Sequence, residues 1–256
     1  MGIPVETGRN GHAPGGIWLS FRTGDGFLYT GDISAESALY AYDPPTAAAA
    51  TILADCSYGD YRKPLSGCWS ELAQHLGRGP LLLPVPANGR GPEIALELMR
   101  HGFEDVHVDG AMRQALQHLA GDDHRSLRDG LRGEIERLVQ IAAPIDGARG
   151  VMLAASADLA SGTSARLLPQ VEDRAEVTIL FTGRINPNTP ADRLAKSGRA
   201  KTMRWNVHPR LADIVALVKS VKAKTVIPAF CDRAQLPALA HALAPARVSM
   251  DGPIEL

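Results

Sequence analysis

An α/β fold is what this sequence predicts, and three observations carry the prediction. Runs rich in β-branched and aromatic residues alternate with runs of helical period, and Gly and Pro punctuate most junctions between them. Segments such as Leu81-Leu82-Leu83-Pro84-Val85-Pro86 read as strands buried on both faces. That alternation implies at least partly parallel pairing, and 256 residues are enough to bury a substantial core in one or two domains.

In chain order, Ile17–Phe21 and Phe27–Thr30 are β-rich, and Gly24-Asp25-Gly26 between them is a hairpin turn. Ser34 to Leu39 can start a short helix, with Asp32 or Ser34 as its cap. After the turn at Asp43-Pro44-Pro45, Ala49–Ala54 is strand-like and runs into Asp55-Cys56-Ser57-Tyr58-Gly59. Trp69–Leu76 is helical by period, Leu81–Pro86 is the buried strand, and Ile94–Met99 is an amphipathic helix entered through Asn88-Gly89-Arg90-Gly91-Pro92-Glu93. Val106–Asp109 is a strand, whose alternating His107 and Asp109 could be mistaken for a metal motif. Gly110 to Ala143 is mostly helical, with Asp122–Ser126 as a solvated helix boundary. Gly150–Ala155 and Glu176–Gly183 are strands flanking a helix from Ala165 to Val171. Leu211–Val221 is a further amphipathic helix, followed by the strand Thr225–Phe230.

The formal net charge of −1 leaves no global electrostatic footprint, so any contact with nucleic acid must rest on a local patch. One such patch is visible in the sequence. Arg184, Arg193, Lys196, Arg199, Lys201 and Arg204 fall together in a stretch that also holds Pro187, Pro190 and Gly198. Composition alone reads it as a solvated basic loop. The three cysteines, Cys56, Cys68 and Cys231, are odd in number and lack zinc-knuckle spacing, so they read as free thiols in a reducing compartment. No apolar run approaches the ~20 residues that span a bilayer, and Met1–Glu6 lacks the regions of a signal peptide. A cytoplasmic location without membrane insertion is the expectation.

The residues that point to chemistry begin with Asn10-Gly11-His12-Ala13-Pro14-Gly15-Gly16 and Leu28-Tyr29-Thr30-Gly31-Asp32. They place a histidine before one strand of the hairpin and an aspartate at the end of the other, so both can converge on one sheet edge. A lone His and Asp would read as a capped turn and a solvated loop. The glycines and hairpin spacing favour a metal site.

These motifs resemble those of the metallo-β-lactamase fold hydrolases, and within them the β-CASP nucleases that process RNA or DNA. The Gly-His-Ala-Pro-Gly turn and the Tyr-Thr-Gly-Asp strand end are similar to the family's third and fourth metal motifs. The resemblance implies that His12 binds one zinc and that Asp32 bridges two. Asp55 stands in the place of the acid that opens the family's acid-Ser-Thr-Tyr-Gly segment; read without the family, it is equally an Asx-turn residue. His208, in Trp205-Asn206-Val207-His208-Pro209, matches the histidine that pairs with that acid and protonates the leaving oxygen. The turn at Arg90 resembles a strand, Gly-Arg turn and Glu of the family, which implies phosphate contact there; by composition it is an ordinary βα connection. In this frame the basic stretch from Arg184 to Arg204 becomes a phosphate-tracking surface.

Two departures accompany the resemblance. Phe230-Cys231 stands where the family has His-Gly, which removes a ligand, and Ala157-Asp158 replaces a Gly-Met pair. The family's His-x-His-x-Asp-His string occurs nowhere in the chain, so His12 and Asp32 offer two ligands where about seven are usual for a two-ion site. The implied organisation is the latter part of a metallo-β-lactamase αββα sandwich (1–60), a β-CASP insert (61–203) and a return to the sandwich (204–256). The implied partners are RNA or single-stranded DNA, an upstream segment or separate subunit that completes the metal site, and further copies of the chain. The resemblance implies zinc-dependent phosphodiester cleavage, with an isolated chain left inactive. A non-catalytic nucleic-acid-binding or subunit-interaction module is the alternative reading.

Overall fold

A computed structural model describes residues 2–250 of the chain; Met1 and residues 251–256, which belong to the first and third expected parts, lie outside the described residues. The chain is α/β, with two six-stranded sheets and eight α-helices among the described residues. It divides into two compact units. One runs up to Pro64 and resumes at Asn206, and the other spans Leu65–Trp205.

The first unit carries the strands β1 (Val5–Arg9), β2 (Ile17–Phe21), β3 (Phe27–Tyr29) and β4 (Thr51–Asp55). The second contains α1 (Leu65–Ala73), β5 (Leu81–Pro84), α2 (Arg90–Arg100), β6 (Val106–Val108), α3 (Gly110–Ala120), α4 (Arg132–Ile141), β7 (Ala143–Pro144), β8 (Val151–Ala154), α5 (Gly162–Val171), β9 (Thr178–Phe181), α6 (Pro190–Lys196) and β10 (Lys201–Thr202). The first unit resumes with α7 (Leu211–Ser220), β11 (Thr225–Ala229), α8 (Leu236–Leu243) and β12 (Arg247–Val248).

The sheet of the first unit has the order β1-β2-β3-β4-β11-β12. Because β2 is antiparallel to both β1 and β3, while β3, β4, β11 and β12 pair in parallel, the ends of β1, β3, β4 and β11 all emerge at one edge. Open α/β sheets bind their ligands outside such an edge. The alternation of strand side chains divides the sheet into two faces. Trp18, Leu28, Ile52, Ala54 and Val226 pack against Leu211, Ile214, Leu217 and Val218 of α7 and Leu239 and Leu243 of α8. Leu19, Phe21, Phe27, Tyr29, Leu53 and Ile227 point to the other face and are only half-buried.

The sheet of the second unit, β10-β9-β5-β8-β6-β7, is parallel throughout, with helices carrying the chain back between all its successive strands except β7 and β8. Leu82, Met152, Ala154, Ile179 and Phe181 pack against Leu167, Leu168 and Val171 of α5 and Ala191 and Leu194 of α6. Glu93 is buried in the first turn of α2, where Trp205 Nε1 donates to its Oε2 at 2.9 Å. His107 is buried on β6, with its ring nitrogens 2.6 Å from Asp105 Oδ1 and 3.1 Å from Pro144 O, in agreement with a structural role.

Two local expectations are corrected. Ser34–Leu39 forms no helix: Ser37 Oγ accepts from the amides of Leu39 and Tyr40, at 3.2 and 2.8 Å, and so holds the backbone in a turn. A hydroxyl that offers the backbone an alternative acceptor in this way competes with helix formation. The basic stretch 184–204 is not an open loop, since it contains α6, with Thr189 as its N-cap, and β10.

Candidate metal centre

The site is built at the common sheet edge of the first unit. The turn after β1 is held by Asn10, whose amide donates to Gly16 O at 3.0 Å and whose Oδ1 accepts from His12 N at 3.1 Å. Gly11 adopts φ 76°, and a side chain there would collide with the Ser34 carbonyl; one at Gly16 would collide with the Asn10 side chain. These glycines let the turn fold tightly and bring His12 over the end of β3.

Three potential ligand atoms, one each from His12, Asp32 and His208, lie within 4.8 Å of one another, and among the described residues this is the one such group of His, Cys, Asp and Glu. His12 Nε2 is 3.8 Å from Asp32 Oδ2, and the rings of His12 and His208 stand 4.9 Å apart. Donors that share an ion at about 2.1 Å lie roughly 3–4 Å apart, so one ion fits the group after its side chains close in by less than ~1 Å. Two ions do not fit three donors.

The orientation of the imidazoles carries more information than their spacing. His12 Nδ1 lies 2.7 Å from the Val207 carbonyl, and His208 Nδ1 lies 2.7 Å from Asp55 Oδ2. Both oxygens are acceptors, so each Nδ1 is the nitrogen that donates, and Nε2 is the nitrogen each ring can offer to an ion. Metal-bound histidines are oriented by such bonds on their second nitrogen. The Val207 turn is itself fixed, since Val207 N donates to Tyr58 Oη at 3.1 Å and Asn206 Nδ2 donates to Lys63 O at 2.8 Å.

Asp55 is 1% exposed and fully engaged. Its Oδ2 accepts from Ile33 N at 3.1 Å as well as from His208, and its Oδ1 accepts from Ser57 N at 3.0 Å and Ser57 Oγ at 2.6 Å. Burial pushes the carboxyl up, but the hydrogen bond and charge of His208, together with the Ser57 bonds, outweigh burial and hold it below the usual carboxylate range. Asp55 thus makes the Asx-turn with Ser57 and also accepts from His208. Burial, with the Asp55 charge beside it, pushes the Cys56 thiol well up and keeps it protonated. Phe230, at the end of β11, has φ 59° and points outward, 64% exposed.

The proposed phosphate contacts lie in the second unit. Arg90 opens α2 and is half-buried, with its guanidinium against Gly183, where a side chain would collide with it. Arg184 and Lys201 are exposed, and Arg204 is half-buried. Arg193 is ion-paired with Glu172, and Lys196 Nζ is 2.8 Å from Asp192 Oδ2, so both cations carry an acid with them. Arg199 departs furthest from a phosphate-tracking role. Its guanidinium donates to the carbonyls of Val171, Glu172, Arg174 and Val177, at the C-terminal end of α5 and the turn that follows. Val171 O and Arg174 O also accept from the amides of Arg174 and Val177, so the guanidinium adds a second donor there and a cation at a negative helix end. Arg199→Ala is therefore expected to lower stability by about 2–3 kcal/mol, while Arg193→Ala leaves it nearly unchanged, as compared by denaturant unfolding.

Fold and site together define an α/β chain with a candidate centre of two histidines and one aspartate. No protein-family model matches the chain, and no curated protein matches it in sequence.

Sequence reading paired His208 with Asp55 but did not count it as a ligand. Spacing offers no signal for it, because α7 and the turn before it bring His208 to the edge only in three dimensions. Tyr58 and Val207, which aim the two rings, were also missed: one acts through a hydroxyl and the other through a main-chain carbonyl.

Proposed function

We propose that the chain holds one divalent metal ion, zinc by its donor set, on His12, Asp32 and His208, and that the centre serves hydrolysis of phosphodiester bonds in RNA or single-stranded DNA. The observation that carries the reading is the pair of imidazoles whose Nδ1 atoms are both tied to acceptors, with His12 Nε2 beside Asp32 and a ring nitrogen of His208 in the same group. Three protein ligands with an open position are the pattern of catalytic zinc, which supplies a Lewis acid and a water ionised near neutral pH. The substrate class comes from the resemblance to β-CASP nucleases, on the latter part of a metallo-β-lactamase sandwich with its insert.

Within this reading the residues have distinct tasks. Asp32 brings the negative charge that offsets the ion. Asp55 keeps the proton of His208 on Nδ1, and the Val207 carbonyl does the same for His12. His208 cannot use one Nε2 both to bind the ion and to protonate a leaving group, so the acid role implied by resemblance gives way to ligation.

The non-catalytic alternative is favoured by one observation, the outward Phe230 where the family has a ligand. Zinc titration by calorimetry, paired with a single-stranded RNA cleavage assay, separates the two. The enzyme reading expects one zinc per chain, with binding and metal-dependent cleavage both lost in Asp32→Ala. Binding without cleavage leaves the non-catalytic module, and no zinc binding removes the metal centre.

A further inference from the structure

We infer that Tyr58 is a positioning residue for both histidines of the candidate centre, and that the segment from Asp55 to Tyr58 thereby sets two of its three ligands together. The inference rests on the metal reading above. Asp55 reaches His208 directly, through Nδ1, whereas Tyr58 reaches both rings by two kinds of contact.

The first contact runs through the main chain. Tyr58 Oη accepts from Val207 N at 3.1 Å, and the carbonyl of the same Val207 lies 2.7 Å from His12 Nδ1. Val207 O and His208 N belong to one planar peptide unit, so the oxygen that aims His12 moves with the backbone that carries His208. The bond to Tyr58 restrains that backbone from the other side of Val207. The second contact is ring to ring. Tyr58 stands edge-to-face against His208, with centroids 5.2 Å apart and planes at 76°, the geometry that ring quadrupoles favour. Tyr61 packs on Tyr58 in the same manner, at 5.6 Å and 70°, and Tyr58 is 9% exposed.

What holds Tyr58 is the turn that Asp55 organises. Ser57 N and Oγ donate to Asp55 Oδ1, Gly59 N donates to Cys56 O at 2.9 Å, and Tyr61 N donates to Tyr58 O at 3.1 Å. The acceptor for His208 and the acceptor for Val207 therefore come from one short segment, and the chain itself fixes their relative position. Ligands oriented in advance leave less ordering to be done on binding, and partners of this kind typically change metal affinity 10–100-fold.

Tyr58→Phe removes the hydroxyl and keeps the ring. Imidazole nitrogen spectra of the zinc-free chain at about pH 8, above the ordinary imidazole pKa, together with zinc calorimetry, test the inference. In the parent both rings are expected as the Nδ1–H tautomer, since each Nδ1 faces an oxygen. In Tyr58→Phe, His12 is expected to lose that tautomer while His208, still held by Asp55, keeps it. The zinc dissociation constant is expected to rise about tenfold or more. An unchanged His12 tautomer overturns the inference, as does an unchanged affinity in a chain whose parent binds zinc. So does an equal loss of affinity in Thr7→Val, which removes a hydrogen bond to Trp18 O in the middle of β1. A parent that binds no zinc overturns the metal reading instead. The tautomers, read without zinc, then decide on Tyr58 alone, and a shift confined to His12 supports its positioning role. Should Tyr58→Phe fail to fold, hydrogen exchange in the parent decides: a Val207 amide slowed about a hundredfold or more supports the inference, and an unprotected one overturns it.

Discussion

Asp55→Ala is expected to cost about 3–5 kcal/mol of stability, because it strands the half-buried imidazole of His208 and the amides of Ile33 and Ser57 without their acceptor. The same change frees the His208 ring to rotate, and zinc affinity is expected to fall roughly 10–100-fold in whatever fraction remains folded. Asp55→Asn separates the two effects. Its carbonyl can still accept one or two of the four bonds, so it should be more stable than the alanine variant, yet it no longer presents a carboxylate to His208 Nδ1. The stability effect has a pH signature in the metal-free chain. The folded pKa of Asp55 is depressed, so its contribution is fully present above the unfolded value of about 3.9 and is lost as pH falls through the folded value. The gap between parent and Asp55→Ala in urea unfolding should therefore narrow only below about pH 4. A gap that closes near neutral pH would show that another group carries the effect.

A second large effect is expected at a residue with no functional group. Gly11→Ala must hold φ 76° and place its methyl against the Ser34 carbonyl, whereas Gly15→Ala, at φ 74°, meets nothing within 4 Å. Left-handed backbone alone costs about 1–2 kcal/mol, and overpacking against backbone adds about 1–3 kcal/mol. Gly11→Ala is thus expected to lose roughly 2–5 kcal/mol, against about 1–2 kcal/mol for Gly15→Ala. Because Ser34 and Asn10 hold the turn that presents His12, the Gly11 variant should also weaken zinc binding, while the Gly15 variant should not. Equal losses at the two glycines would mean that the turn can relax away from Ser34.

The arrangement has one further consequence for oxidation. Cys56 and Cys68 are buried, and Cys231 is half-buried with a thiol that burial, and then the charge of Asp232, push up. Neither Cys56 nor Cys231 is therefore poised as a thiolate near neutral pH, so neither described cysteine of the first unit is a reactive sulfur. No described helix is long and apolar enough to cross a membrane, which agrees with the sequence as far as helices go.

By itself the sequence determined the secondary-structure alternation and the local frame of the site. Strand and helix periods are short-range properties, so β2, β3, β5, β8, α2 and α7 could be read from patterns of a few residues. Gly11 and Gly31, at positive φ, and Gly16, packed against Asn10, answer turn demands legible in the sequence, although the Ser34 and Ile17 carbonyls that crowd Gly11 and Gly31 come from elsewhere in the chain. Where a local signal misled, a side chain had diverted the backbone: Ser37 took the amides that a helix at 34–39 would have used.

Only the tertiary structure decided which groups meet. His208 reaches His12 and Asp32 because a parallel crossover returns α7 to the edge where β3 and β4 end, and no spacing in the sequence records that return. It also decided what each cation is for. Arg199 reads in the sequence as one basic residue among six, but the fold surrounds it with carbonyls at and after the end of α5, and those hydrogen bonds, not charge density, fix its role.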